Sequence, residues 1–90
     1  MSYIVSWQRV PIEERLLPLL GLPLQTAGEF NYVITRLVDT WLGTSLSYHN
    51  IALITGVLEN VKQELYRRLA IPYEDQKIVS NGDVYYPRDF

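Results

Sequence analysis

Apolar residues recur at helical spacing in two long stretches of the chain, and each stretch is bounded by residues that start and stop helices. In the first, Phe30, Val33, Ile34, Leu37, Val38, Trp41 and Leu42 share a face, with Asn31, Tyr32, Thr35, Arg36, Asp39 and Thr40 mainly between them. In front of it, Thr26-Ala27-Gly28-Glu29 reads as a capping box, with Thr26 as N-cap and Glu29 reaching back to its backbone amide. Gly43 suits the left-handed position past the C-terminus. The pattern predicts a helix over about 26–42. In the second stretch, Ile51, Ile54, Leu58, Val61, Leu65 and Leu69 form one stripe, widened by Leu53 and Val57. Ser47 can cap this helix, and Leu46 can staple onto Ile51. Pro72 disfavours helical geometry at Ile71, so the predicted helix covers about 47–70 and stops short of the proline. At about 1.5 Å per residue, Tyr48 to Leu69 reaches roughly 33 Å. That is long for a 90-residue chain, and the stripe needs cover along its whole length.

Two shorter elements flank these. Pro11 fits a first helical position, with Glu13 and Glu14 following in the turn where the helix dipole favours acids. A short helix near 11–20 is expected, kinked or ended by Pro18 and stopped by Gly21-Leu22-Pro23. Leu16, Leu17, Leu19, Leu20, Leu22 and Leu24 make this region an apolar strap that packs across other helices or into a partner chain. Pro72-Tyr73-Glu74-Asp75 starts a further helix near 72–80, with Asn81-Gly82 as its stop and an extended C-terminal tail beyond. The same Asn-Gly could instead close a hairpin pairing Ile78-Val79 with Val84-Tyr85. The expected fold is therefore all-α: a small helical bundle forming a single domain over 1–90.

Composition narrows the chemistry. The chain is 48% hydrophobic and 20% charged, which argues against wholesale disorder. Eight Lys+Arg against ten Asp+Glu leave a net charge of −2, a poor basis for coating duplex nucleic acid or an anionic membrane surface. The longest apolar stretch, Leu16 to Leu24, is broken by Pro18, Gly21 and Pro23 and falls far short of the roughly 20 residues that span a bilayer. No secretory leader is recognisable, so a soluble cytoplasmic protein is expected. Without cysteine there is no disulfide, thiolate nucleophile or Cys-based zinc site. The one histidine, His49, sits in a helical first turn beside Ser45 and Ser47 with no orienting acid behind it. Neither an enzyme nor a bound cofactor or metal is expected. With so much apolar surface on so short a chain, a homo-oligomer is.

What remains is a set of aromatic and cationic side chains suited to a small anionic ligand. Asn31, Tyr32 and Arg36 lie within about one turn on the polar side of the second helix. Tyr66 and Arg67 close the third, and Tyr73 and Lys77 follow just past the proline. Arginine forks match phosphates, and tyrosine rings can stack on bases. The same tyrosines, half apolar and half hydrogen-bonding, also serve subunit interfaces.

The blocks Ala27-Gly28-Glu29-Phe30-Asn31-Tyr32-Val33-Ile34-Thr35-Arg36-Leu37, Gly56-Val57-Leu58-Glu59, Glu64-Leu65-Tyr66-Arg67-Arg68, Pro72-Tyr73-Glu74-Asp75 with Lys77-Ile78, and Asn81-Gly82-Asp83-Val84-Tyr85 carry a resemblance. In order and spacing the chain resembles a family of small bacteriophage and prophage proteins of uncharacterised function. The resemblance implies a phage-type origin, hence a host-cell cytoplasm, and brings no catalytic residue with it. Two functions are then open. One is a non-enzymatic homo-oligomer that sequesters a phosphate-bearing small ligand, such as a host defence signal nucleotide. The other is a protein–protein interaction module that inhibits a host protein or serves as an accessory component of viral assembly.

Overall fold

The computed structural model describes residues 4–89. Its regular elements are all helical: α1 Ser6–Leu20, α2 Ala27–Leu42, α3 Tyr48–Leu65 and α4 Ile71–Asn81, with a π-helical turn Tyr66–Ala70 joining α3 to α4. The described residues contain no strand, so the segment around Asn81-Gly82 is a helix end followed by an extended tail and not a hairpin. The chain divides into two compact units, Met1–Ser47 and Tyr48–Phe90.

In the first unit, α1 begins five residues earlier than the proline pattern predicts. Val5 occupies the N-cap with extended backbone, and the Gln8 side chain accepts a hydrogen bond from the Val5 amide at 3.3 Å. That satisfies a donor at the helix start without a Ser, Thr, Asp or Asn cap. Pro11 is consequently internal, and Glu13 and Glu14 sit mid-helix, away from the dipole end they were expected to complement. Pro18 does not end the helix either. Seven residues apart, the two prolines fall on the same face, so the intrahelical bonds they forgo are lost along one side. Near the C-terminus the Gly21 amide still reaches the Leu17 carbonyl at 3.2 Å. The Leu22 amide then tightens onto Leu19 at 3.1 Å, and Leu24 N–H bonds Leu22 across Pro23 at 2.9 Å, a three-residue turn.

Helix α2 matches its expected span. The Thr26 Oγ1 accepts from the Glu29 amide at 3.1 Å. Glu29 differs from expectation in one detail: its carboxylate takes the Gln25 amide at 3.4 Å and the Thr26 hydroxyl at 3.2 Å in place of the Thr26 amide. Gly43 ends the helix at φ 71°, a left-handed conformation that a side chain would strain. Leu16, Leu19, Leu24, Val33, Ile34, Val38 and Leu42 are half-buried, and Pro11, Ile12, Arg15, Leu16 and Leu19 line a shallow groove together with Leu37. Half of the leucine strap is thus partly covered, while Leu17 and Leu20 remain exposed.

The second unit is built on one helical run of 34 residues from Tyr48 to Asn81, about 50 Å at 1.5 Å per residue. The expected stop before Pro72 does not occur. An α-helix would set the proline ring against the carbonyl four residues back and leave a hydrogen bond unmade. The chain widens instead: the Ile71 amide bonds the Tyr66 carbonyl, five residues back, and Pro72 enters at the first turn of α4, where no amide donor is needed. Helix α4 closes with the Gly82 amide on Ile78 at 2.8 Å and Gly82 at φ 86°. In the tail the Asp83 carboxylate accepts from the Tyr85 amide at 3.0 Å, forming a local turn.

No described residue in either unit is buried. Along α3 the stripe residues Ile51, Leu58, Val61 and Leu65 are 42–53% exposed, and Leu46 is 69% exposed. Stability within a unit must therefore lean on local chemistry, caps above all. Replacing Thr26 with Ala is expected to cost about 1 kcal/mol, lowering the melting temperature by roughly 4–8 °C for a domain of this size. Circular dichroism on thermal unfolding measures it, and Thr26→Ser should restore most of the loss.

Candidate ligand-binding site

Three of the expected ligand residues come together on α2. Because residues four apart share a helix face, Arg36 sits one turn above Tyr32, and its Nη1 donates to the Tyr32 hydroxyl at 3.5 Å. Asn31 and Thr35 form the neighbouring pair, the Thr35 hydroxyl donating to Asn31 Oδ1 at 3.1 Å. Two concavities meet at the Tyr32 ring. One, of about 510 Å³, is lined by Ala27, Gly28, Asn31, Tyr32 and Thr35. The other, of about 390 Å³, is lined by Leu19, Tyr32, Val33, Arg36, Leu37 and Thr40. Both are open grooves, and Tyr32 is itself 63% exposed.

The charge balance of this place is distinctive. Among the described residues Arg36 meets no carboxylate, so its guanidinium is held by a phenol and by water alone. A guanidinium so placed keeps its donors for an incoming oxyanion. Leu19 and Thr40 complete the groove and were invisible to the sequence reading. Leu19 reaches it only because α1 extends past Pro18, and Thr40 because it is four residues beyond Arg36.

The other four expected residues belong to the second unit. Tyr66 and Arg67 lie in the π-helical turn, where Tyr66 is 52% exposed. Arg67 makes a two-pronged contact to Glu64, Nε to Oε1 at 3.1 Å and Nη2 to Oε2 at 3.0 Å. The same carboxylate takes Arg68 Nε at 2.9 Å. Glu64 therefore holds two arginines, and a ligand phosphate at Arg67 has to compete with it. Lys77 is placed differently: its Nζ stands 5.5 Å from the centroid of the Tyr73 ring, a cation–π distance. Lys77 also lines a hollow of about 310 Å³ where the tail folds against α4, beside Glu74, Asp83 and Tyr85. Within its own unit each trio or pair is local: Asn31, Tyr32 and Arg36 on α2, Tyr73 and Lys77 on α4.

Among the described residues no three His, Asp or Glu side chains gather as a metal-ligand set. No helix among them is long and apolar enough to cross a membrane. Residues 1–84 match the model of a domain of unknown function, DUF6899. No curated protein and no solved structure matches the chain.

The Glu64 pairs are solvent-exposed at their arginine ends, so they are worth little to stability. Glu64→Gln should change unfolding free energy by no more than about 1 kcal/mol. The difference should vanish in molar salt, which comparative urea unfolding at low and high ionic strength would show.

Proposed function

We propose that this chain, which belongs to the DUF6899 family, is a non-enzymatic binding protein that sequesters a phosphate-bearing small ligand as a homo-oligomer. The observation that carries the reading is the Tyr32–Arg36 pair: an arginine without a carboxylate partner, at the rim of a groove, beside an exposed aromatic face. Arg36 would meet the phosphate, Tyr32 would stack on the ring system, and Asn31 with Thr35 would supply hydrogen bonds to the polar remainder. Lys77 and Tyr73 make a second cationic–aromatic pair of the same kind. Arg67 and Tyr66 contribute after Glu64 gives way. No bond is made or broken in this scheme. The ligand is withdrawn from solution by mass action, which for a phage-type protein fits removal of a host defence signal nucleotide.

A second reading has its own support. The tail presents Val84, Tyr85 and Tyr86 at 91%, 74% and 82% exposure. Exposed apolar and tyrosine side chains of that kind suit docking on another protein, as an inhibitor of a host protein or a component of viral assembly.

Thermal unfolding of the purified chain against linear and cyclic nucleotides separates the two. Sequestration predicts an upward shift of several degrees for a ribose- or phosphate-bearing ligand at a hundredfold excess over its dissociation constant, where linkage supplies about 2.7 kcal/mol. Arg36→Ala should abolish that shift and leave the unliganded melting temperature within a degree or two. A flat response across the panel, beside a control binder that shifts, overturns the ligand reading. Truncation before Asn81 would then be expected to abolish recovery of a host protein.

A further inference from the structure

The second unit carries a helical seam whose construction points to a single occupant. Ile51, Ile54, Leu58, Val61 and Leu65 are spaced three, four, three and four residues apart, the alternation of a coiled-coil seam. The next member would fall at position 68, yet that residue is Arg68 and the apolar side chain is one place later, at Leu69. The π-helical turn over Tyr66–Ala70 resolves the mismatch. A turn closed from Ile71 N–H to the Tyr66 carbonyl takes in one residue more than an α-helical turn, so Leu69 returns to the phase of the seam. The proline and the displaced leucine are accommodated by the same local widening.

We infer that this seam is a homotypic interface, occupied in solution by the same helix of a second copy of the chain. A three-four seam is complementary to another helix. Within the chain, α1 and α2 have 15 and 16 residues, less than half of the 34-residue run that carries the seam. A second copy supplies a helix of matching length. Charge agrees: between Tyr48 and Asn81 four acids (Glu59, Glu64, Glu74, Asp75) balance four bases (Lys62, Arg67, Arg68, Lys77), and residues 48–58 carry no Asp, Glu, Lys or Arg. The helix can lie against itself without net repulsion and calls for no strongly charged partner.

Area agrees as well. The chain exposes 8636 Å², against about 5,400 Å² for a compact protein of this mass. A single standard interface removes about 1,600 Å² in all. One further contact inside the chain would leave about half of the excess uncovered, and a second chain is needed for the rest. The inference rests on the oligomeric part of the function proposed above and is independent of its ligand.

The test uses the full-length chain. Light scattering after size exclusion, at tens of micromolar, should give at least twice the 10.5 kDa of one chain, and Val61→Glu should reduce that mass to one chain or to a less helical species. Because Val61→Glu could act by unfolding the protein, cysteine cross-linking provides the second readout, in a chain that has no cysteine of its own. Single Cys replacements of Leu58, Val61 and Leu65 are oxidised under mild conditions beside Asn60→Cys and Gln63→Cys on the opposite face. Disulfide geometry needs Cα atoms within about 7 Å, so at least one seam position should form a covalent dimer tenfold faster than either control. A monomeric wild type, a seam variant that keeps its mass, controls that cross-link as fast as the seam, or a different protein filling the seam would each overturn the inference. A nucleotide panel that fails while the seam cross-links would overturn the ligand reading alone.

Discussion

Apolar surface that the chain does not cover is the constraint from which the rest of this molecule follows. Nearly half of the residues are hydrophobic, yet no described residue is buried in either unit. Burial of apolar area is the dominant favourable term in folding, and it has to offset the entropy of fixing each residue. A helix gains little in water from propensity alone, and helices in proteins are held mainly by packing of one face. Here the packing is partial in the first unit, where α1 and α2 share a groove, and slight in the second, where a 34-residue helical run has only its own tail beside it.

That constraint explains why so much of the structure is spent on helix ends and on one helix junction. Thr26 with Glu29, Gln8 with the Val5 amide, and the glycines at 43 and 82 each settle backbone groups that a helix leaves unpaired at its termini. The junction at Pro72 is the more telling case. A break there would divide the stripe of α3 from α4, and a plain α-helix would meet the proline ring and shift Leu69 out of phase. Widening by one residue removes both conflicts, at the cost of one π-helical turn. Tyr66 and Arg67 sit in that turn, so their positions are tied to the way the helix passes the proline.

The candidate site shows how the same residue types acquire different capacities from their neighbours. Arg36 and Arg67 look alike in the sequence, each among polar residues near a tyrosine. Glu64 lies three residues before Arg67 and four before Arg68, within reach of both, and occupies them. The residues four before and three after Arg36 are Tyr32 and Asp39, and the contact formed is to the tyrosine hydroxyl. An arginine with a phenol for company offers its donors to a ligand more readily than one already paired to a carboxylate.

The amino-acid sequence by itself determined the features whose chemistry is complete within a few residues. Helix α2 from its threonine cap to its glycine stop, the start of α3 at Tyr48, the end of α4 at Asn81-Gly82 and the Asn31–Thr35 and Tyr32–Arg36 pairings all follow from spacings of three or four. Where the outcome turned on competition between distant or alternative partners, only the folded structure decided it. The proline at 11 marks a helix start when read locally, but Gln8 and Val5 start the helix earlier. The proline at 72 reads as a stop, but a bond spanning five residues carries the helix past it. Asn81-Gly82 serves a hairpin or a helix stop equally well on local grounds, and the helical hydrogen bond from Gly82 to Ile78 decides between them. Local rules count the donors and acceptors a segment offers, and tertiary structure selects which of them are used.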